Sequence, residues 1–476
     1  MRHFRTINIA LMFGLLLLIV TSAQAQIAAA CADSQYAGSR LVGGVYARAL
    51  PGTANNVRES ASTSANIIAQ IEPGQVVYVT SAPVCAEGYV WWQVVYREPQ
   101  STEDFPFGYT AEGAAPLGEG SYWLEPAPQA ISGIPQQRQP ITATNISQLQ
   151  QVAQVEFGMV NRFAWSGDSS HLAINTVGAA WVYDLTVAES LPVRITPYSY
   201  DTNYIQSITL GEDGDAVAVA GSAYSIPNAP MAGAAYLWSL ATPDQPQVSF
   251  VESTNNFGGA AAISPDGFRA AFADANGTIR IVEIGSGRVL ATLEGHIFVG
   301  GLAFTVDGTQ LVSIGGIGMM ISDSTARLWD AANGAQIGLL EIGDLYPPLA
   351  LSPDGKRIAI GRYNSATTTQ GIQLINLKNF TEAEFIEVPL GGVIGVTFGV
   401  DSSLLAYSQS YFDDTQGAWA SAVHLYDLAS GTELSSLPIN AGVGTLSFSP
   451  DGTLLAFAYE DPQFWGPNRA TLWAVP

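Results

Sequence analysis

Seven times between Trp165 and Asp451 the chain repeats one figure: a short apolar run, a tight turn around an aspartate, a second apolar run, and a further strand ending on an aromatic or aliphatic residue. The turn aspartates are Asp168, Asp213, Asp266, Asp307, Asp354, Asp401 and Asp451, spaced 41 to 53 residues apart. Such a period excludes the shorter helical repeats and fits four short strands per unit, the units standing as blades around a closed ring. The expected fold class is therefore all-β, with a seven-bladed β-propeller as its main part.

The third strand of each unit ends at an aligned pair: Tyr183-Asp184, Trp238-Ser239, Val282-Glu283, Trp329-Asp330, Ile375-Asn376, Tyr426-Asp427 and Trp473-Ala474. Seven turns and seven third strands give seven blades over residues 145–476. The sequence runs only to the third strand of the last one. Residues 149–157, which precede the first complete repeat, are expected to pair with residues 471–475. That pairing would close the ring and cover an edge that otherwise invites aggregation.

These repeats resemble the WD-repeat family. The fullest match is the fourth blade, where Gly295-His296 is followed by Ser313, Asp323 and Trp329-Asp330. The resemblance implies a structural hydrogen-bonded chain through His296, Ser313, Asp323 and Trp329. Other blades lack the Gly-His pair and often the tryptophan. Their Ser-Pro-Asp-Gly turns, beginning at Ser264, Ser352 and Ser449, are similar also to those of TolB-like exported propellers.

At the other end, Arg2 and Arg5 precede an apolar run from Ile9 to Val20, and Ala23-Gln24-Ala25 has the small-x-small pattern of a signal-peptidase site. Residues 1–25 read as a signal peptide. The run falls short of the roughly 20 residues a membrane span needs, so a secreted or envelope-facing protein without membrane insertion after cleavage is expected. Cys31 and Cys85 are the only cysteines, and an oxidising compartment would join them.

Between residues 31 and 126, alternating and β-branched runs at Asn56–Glu59, Ile67–Ile71, Val76–Val79, Trp91–Val94 and Gly108–Glu112 read as strands, with Pro73-Gly74 as a turn. Their order and spacing resemble the bacterial SH3-like domain. The match departs from that family in an insertion from Glu98 to Phe107 and in Tyr109, where tryptophan is commoner. The resemblance implies a small five-stranded barrel that attaches to cell-wall peptide or to other proteins. Trp91, Trp92, Tyr109 and Trp123 are candidates to line its groove, at least two of them being needed for the core. Residues 127–144, with Pro128, Pro135 and Pro140 among Gln, Ser and Gly, read as a semi-stiff linker.

The chain carries 18 basic against 41 acidic residues, a net charge of −23, and Lys356 and Lys378 are its only lysines. This points away from nucleic acid, which is bound through clustered Lys and Arg. His171, His296 and His424 fall in three different blades, without metal-ligand spacing. No serine sits in a Gly-x-Ser-x-Gly elbow and no glycine motif cradles phosphate. The repeated turn aspartates cap their own backbone more readily than they hold calcium. No catalytic residue, metal or cofactor is expected.

Recognition then falls to surface. The connections between second and third strands share one face of the ring, and several are long: Ser222–Ala235 with Tyr224, Arg362–Gln370 with Tyr363, Ser408–Ala422 with Tyr411, Phe412 and Trp419, and Tyr459–Arg469 with Phe464 and Trp465. Tyr and Trp give large contact area at little entropic cost, which makes these seven the candidate binding residues for a protein or cell-wall glycan partner. The other readings are an extracytoplasmic propeller enzyme of hydrolase or lactonase type, and a purely architectural part of an envelope complex.

Overall fold

The computed structural model describes residues 41–476 except 42–44, 51, 53, 74, 81–82, 97–106, 116–121, 127–129, 158–159, 177–178, 190, 196–204, 224–231, 244–245, 252–256, 275, 316–322, 324, 342–343, 365–368, 389–390, 414–417, 440–441 and 460–467. Residues 1–25, read above as a signal peptide, and Cys31 lie outside the described residues. The chain divides into two compact units, one ending at Pro128 and the other beginning at Gln129.

The first unit is one antiparallel sheet. Its strands run in the order Ile67–Ile71, Asn55–Arg58, Phe107–Ala114, Tyr89–Val95, Val76–Val79, Val45–Ala49 and Leu124–Pro126, and Val84–Ala86 also pairs with Tyr89–Val95. Alternation sends one set of side chains inward, so Val57, Ile71, Val77, Val79, Val90, Val94 and Leu124 pack around the fully buried Trp92. Trp91 is buried as well, Tyr109 is half-buried and Trp123 is exposed. Of the four aromatics singled out above, two therefore serve the core. Cys85 lies half-buried on Val84–Ala86 and packs against it.

The second unit is a ring of seven four-stranded antiparallel sheets. Blades one to six span Val160–Ile195, Ile205–Val251, Phe257–Leu293, Val299–Glu341, Asp344–Glu387 and Gly392–Ile439, each with its strands in sequence order. The second strands are packed on both faces by neighbouring blades, which is why they read as continuous apolar runs instead of alternating ones. In His171–Thr176, Arg269–Asp274 and Gln310–Gly315 every residue after the first is buried. Outer strands meet water; Thr381–Glu387 buries only Ile386. The core consequently lies between blades, as where Val312 and Leu328 of the fourth pack with Ile358, Ile360 and Ile375 of the fifth.

Blade seven consists of Val443–Phe448, Leu454–Tyr459 and Asn468–Ala474, completed by Gln150–Phe157 from before the first blade. Gln154 stands opposite Thr471 and Val155 opposite Ala470. The ring is thus closed by the segment the sequence suggests, and Asn468–Ala474 has no free edge.

The segment read as a linker is different. Gln139 N–H donates to Val475 O at 3.0 Å, Ile141 N–H to Gly452 O at 2.8 Å and Arg138 Nε to Thr453 Oγ1 at 3.1 Å. Ile141 is buried with Leu404, Phe448 and Val475. Residues 138–141 are therefore fastened to blade seven and do not form a spacer. Proline content misleads here, because a proline-stiffened backbone is already extended, and Gln139 and Ile141 keep their N–H groups for pairing.

Candidate functional site

On one face of the ring, each connection between first and second strands is built around its aspartate. Asp168 Oδ1 accepts from Ser170 N–H at 2.9 Å, Ser170 Oγ at 2.6 Å and Ser166 Oγ at 2.7 Å. The same backbone acceptance recurs at Asp213, Asp266, Asp307, Asp354, Asp401 and Asp451, always from the residue two positions on. The carboxylates are engaged by their own turns. Hydrogen bonds from the Ser170 and Ser166 hydroxyls and from the Ser170 N–H bring Asp168 down to about 2, and the Thr305 hydroxyl with Thr309 N–H likewise lowers Asp307. Burial pushes Asp266, Asp354 and Asp401 upward, but the turn hydrogen bonds outweigh it and these too lie below the ordinary range.

The residue after the aspartate has positive φ. Glycine fills that slot in five turns, and Ser169 (60°) and Ser402 (59°) fill it in the first and sixth. A serine is strained there, and its hydroxyl supplies a return. Ser169 Oγ accepts from Asp451 N–H at 3.0 Å and Ser402 Oγ from Asp354 N–H at 3.1 Å, each tying a turn to that of the adjacent blade. Sequence reading missed these two ties, although the breaks in the Asp-Gly pattern mark them.

In blade four the four residues named for the structural chain come together. Trp329 Nε1–H donates to Ser313 Oγ at 2.8 Å, Ser313 Oγ lies 2.7 Å from His296 Nε2, and His296 Nδ1 lies 2.9 Å from Asp323 Oδ2. All four are buried. Asp323 also accepts from Ile297 N–H at 2.7 Å and Thr325 N–H at 3.0 Å. These bonds fix a tautomer in which Nδ1 donates to Asp323 and Nε2 accepts from Ser313, the arrangement expected of a neutral ring. Burial, helped by Arg327, lowers the His296 pKa against the pull of Asp323. Asp323 is pushed up by burial but held below the ordinary carboxylate range by Thr325, Ile297 and His296. A Ser, His and Asp in line suggest nucleophilic chemistry. Here the serine hydroxyl, which accepts from a tryptophan, is sealed between strands.

The opposite face carries the connections between second and third strands, and here the loop reading needs correction. Tyr363 lies on the strand Arg357–Asn364, Tyr411 and Phe412 on Leu404–Asp413, and Trp419 on Ala418–Asp427. These are long hairpins rather than loops. Blade six has ten-residue strands where blade four has Gln310–Gly315 and Thr325–Asp330, an excess of four residues or roughly 13 Å at strand rise. Its ladder runs as far as Asp413 opposite Ala418, with Tyr411 opposite Ala420 and Phe412 opposite Trp419. Alternation of apolar and small residues allows this pairing, and Tyr411 is half-buried on it. Tyr363 stands opposite Gln370. Tyr224, Phe464 and Trp465 lie outside the described residues. The second blade's hairpin, Ala216–Ala223 with Ala232–Ser239, is similarly extended.

His424, in the blade-six hairpin, stacks on Tyr407 with ring centroids 4.8 Å apart and 13° between planes. Glu433 Oε2 is 3.2 Å from its Nδ1 without hydrogen-bond geometry. Among the described residues no group of three His, Cys, Asp or Glu side chains is placed to hold a metal ion.

With the ring, its turns and the blade-four chain established, the molecule is an all-β propeller bearing a WD-type repeat. Residues 287–330 match the family model described as "WD domain, G-beta repeat". That stretch runs from the outer strand of blade three through the third strand of blade four and contains the whole His296, Ser313, Asp323 and Trp329 chain. The chain is also similar to "Transcription factor unc-37" of Caenorhabditis elegans, 25% identical over 278 residues. The alignment covers 57% of this chain and 39% of that relative's own length.

Proposed function

We propose that this protein is a non-catalytic binding scaffold of the cell exterior. Its propeller presents the hairpins of blades two, five and six to a protein or glycan partner, and its first unit attaches it to the envelope. The observation that carries this reading is the ten-residue strand pair of blade six, which sets Tyr411, Phe412 and Trp419 on a continuous antiparallel ladder. Aromatic residues on a pre-ordered strand pair offer contact area without a loop's ordering cost.

Attachment through the first unit is supported by its resemblance to SH3-like domains and by the exposed Trp123, whose ring lies 5.7 Å from that of Tyr89. Export is supported by the sequence of residues 1–25, and a Cys31–Cys85 disulfide by the absence of any other cysteine. The experiment is cosedimentation of the full chain with purified envelopes, beside Tyr411→Ala/Phe412→Ala/Trp419→Ala and Trp123→Ala variants. The triple substitution is expected to lose the copurifying partner while envelope retention persists, and Trp123→Ala to do the reverse. Full activity of both variants in both assays would dispose of the proposal.

A further inference from the structure

A groove of about 490 Å³ lies between blades four and five on the side of the ring where the aspartate turns stand, remote from the long hairpins. One wall is the outer strand Gln336–Glu341 of blade four, with Ile337 and Leu339 exposed by 53% and 45%. The other is made by two turns of blade five, which contribute Lys356, Lys378 and Phe380. We propose that this groove binds an extended peptide segment of a partner protein in which apolar residues are flanked by carboxylates. This goes beyond the function proposed above and does not depend on it.

Three independent observations converge on this groove. The first is charge. A chain with 41 acidic residues has two lysines, and both line this groove. Lys356 reaches Asp354 at 3.3 Å but stays largely exposed, while Lys378 is exposed and makes no ion pair among the described residues. The second is apolar exposure. Ile337 and Leu339, two residues apart, extend toward the same side of an outer strand, as do the side chains an added peptide strand needs.

The third is strain. The turns between third and fourth strands in blades three, four and six place Gly287, Gly334 and Gly431 at φ of 67°, 76° and 68°. Blade five puts Phe380 in that slot, at 50°. An aromatic residue in the left-handed region is strained by the contact of its Cβ with the backbone. Its ring is buried against Gly338 of blade four, where a Cβ would come within 2.6 Å of Phe380 Cδ1. Filling the space between blades needs no such exception, since three other blades manage with glycine. Phe380 adds an apolar face to the lining that both lysines share.

Random dodecapeptides displayed on phage and selected against the full chain are the probe. Enriched peptides are expected to combine Asp or Glu with Leu, Ile, Val or Phe. They should bind about tenfold more weakly to Lys356→Glu/Lys378→Glu and weaken with added salt. Both lysines are exposed, so the variant should unfold at the same denaturant midpoint as the parent; if it does not, Lys356→Ala/Lys378→Ala takes its place. No enrichment, enrichment without acidic bias, or equal affinity for the charge-altered chain overturns the proposal. So does self-association of the chain that the variant abolishes, because the occupant would then be a second copy.

Discussion

Blades four and six share one architecture and are held in two ways. In blade four, Trp329 and Ser313 on neighbouring strands are bonded directly, and a buried chain of hydrogen bonds continues from Ser313 through His296 to Asp323. In blade six the residue aligned with Ser313 is Tyr407, that aligned with Arg327 is His424, and the two rings stack. Both sheets have four strands, the same order and a bulge in the first strand, between Val299 and Gly301 in one and between Val393 and Gly395 in the other. The polar chain is therefore not what makes a blade. The apolar second strand and the aspartate turn do that, and what fills the space between strands is free to vary with the blade's task.

If this is right, removing the chain from blade four is costly and removing the polar atoms from blade six is not. Asp323→Ala leaves the Ile297 N–H without its acceptor and His296 Nδ1–H with only the longer contact to Thr325 Oγ1, and should lower stability by about 3 kcal/mol in denaturant unfolding. His424→Phe keeps the stack on Tyr407 and removes ring nitrogens that make no hydrogen bond, so its change should stay within about 1 kcal/mol. Equal costs would erase the distinction between the two blades.

Acid separates them next. His296 is lowered in the fold, so its contribution is fully present above the unfolded value of about 6.5 and is lost as pH falls below that toward the folded value. The turn aspartates are lowered too, and their contribution is lost only as pH falls from about 4 toward 2. The pH profile of unfolding should accordingly show two declines, and His296→Asn should remove the upper one alone. His424→Phe should leave the upper decline in place. The smallest effect is expected at the ties between turns. Ser402→Ala retains the left-handed strain and loses the bond from Asp354 N–H, costing about 1 kcal/mol, whereas Ser402→Gly exchanges bond for strain and should be near neutral.

Much of the ring was legible because its signals are local and repeated. Seven aspartate turns and seven strand endings count blades, and the unpaired third strand at Asn468–Ala474 calls for Gln150–Phe157. His296, Ser313, Asp323 and Trp329 were legible through a family pattern that records their contacts. Residues 138–141 were not, because their docking depends on Ile141 meeting Phe448 and Val475 from far along the sequence. The hairpins of blades five and six were read as loops because Ser, Gln, Asp and Gly near their tips resemble turn composition, while cross-strand pairing decides the outcome. Phe380 went unnoticed for a similar reason: its left-handed backbone becomes visible only beside three glycines in other blades.

The central proposal is that the long hairpins carry partner recognition, and an aspartate turn of blade three serves as the control surface. It is tested most directly by placing the photoreactive residue p-benzoylphenylalanine in place of Phe412, next to the last residue of the strand Leu404–Asp413, and separately in place of Phe268, an exposed phenylalanine on an aspartate turn. Irradiation of the full chain with purified cell envelopes is expected to yield a discrete crosslinked partner from position 412 and none from position 268. The same adduct from both positions, or an adduct from 268 alone, would contradict the account.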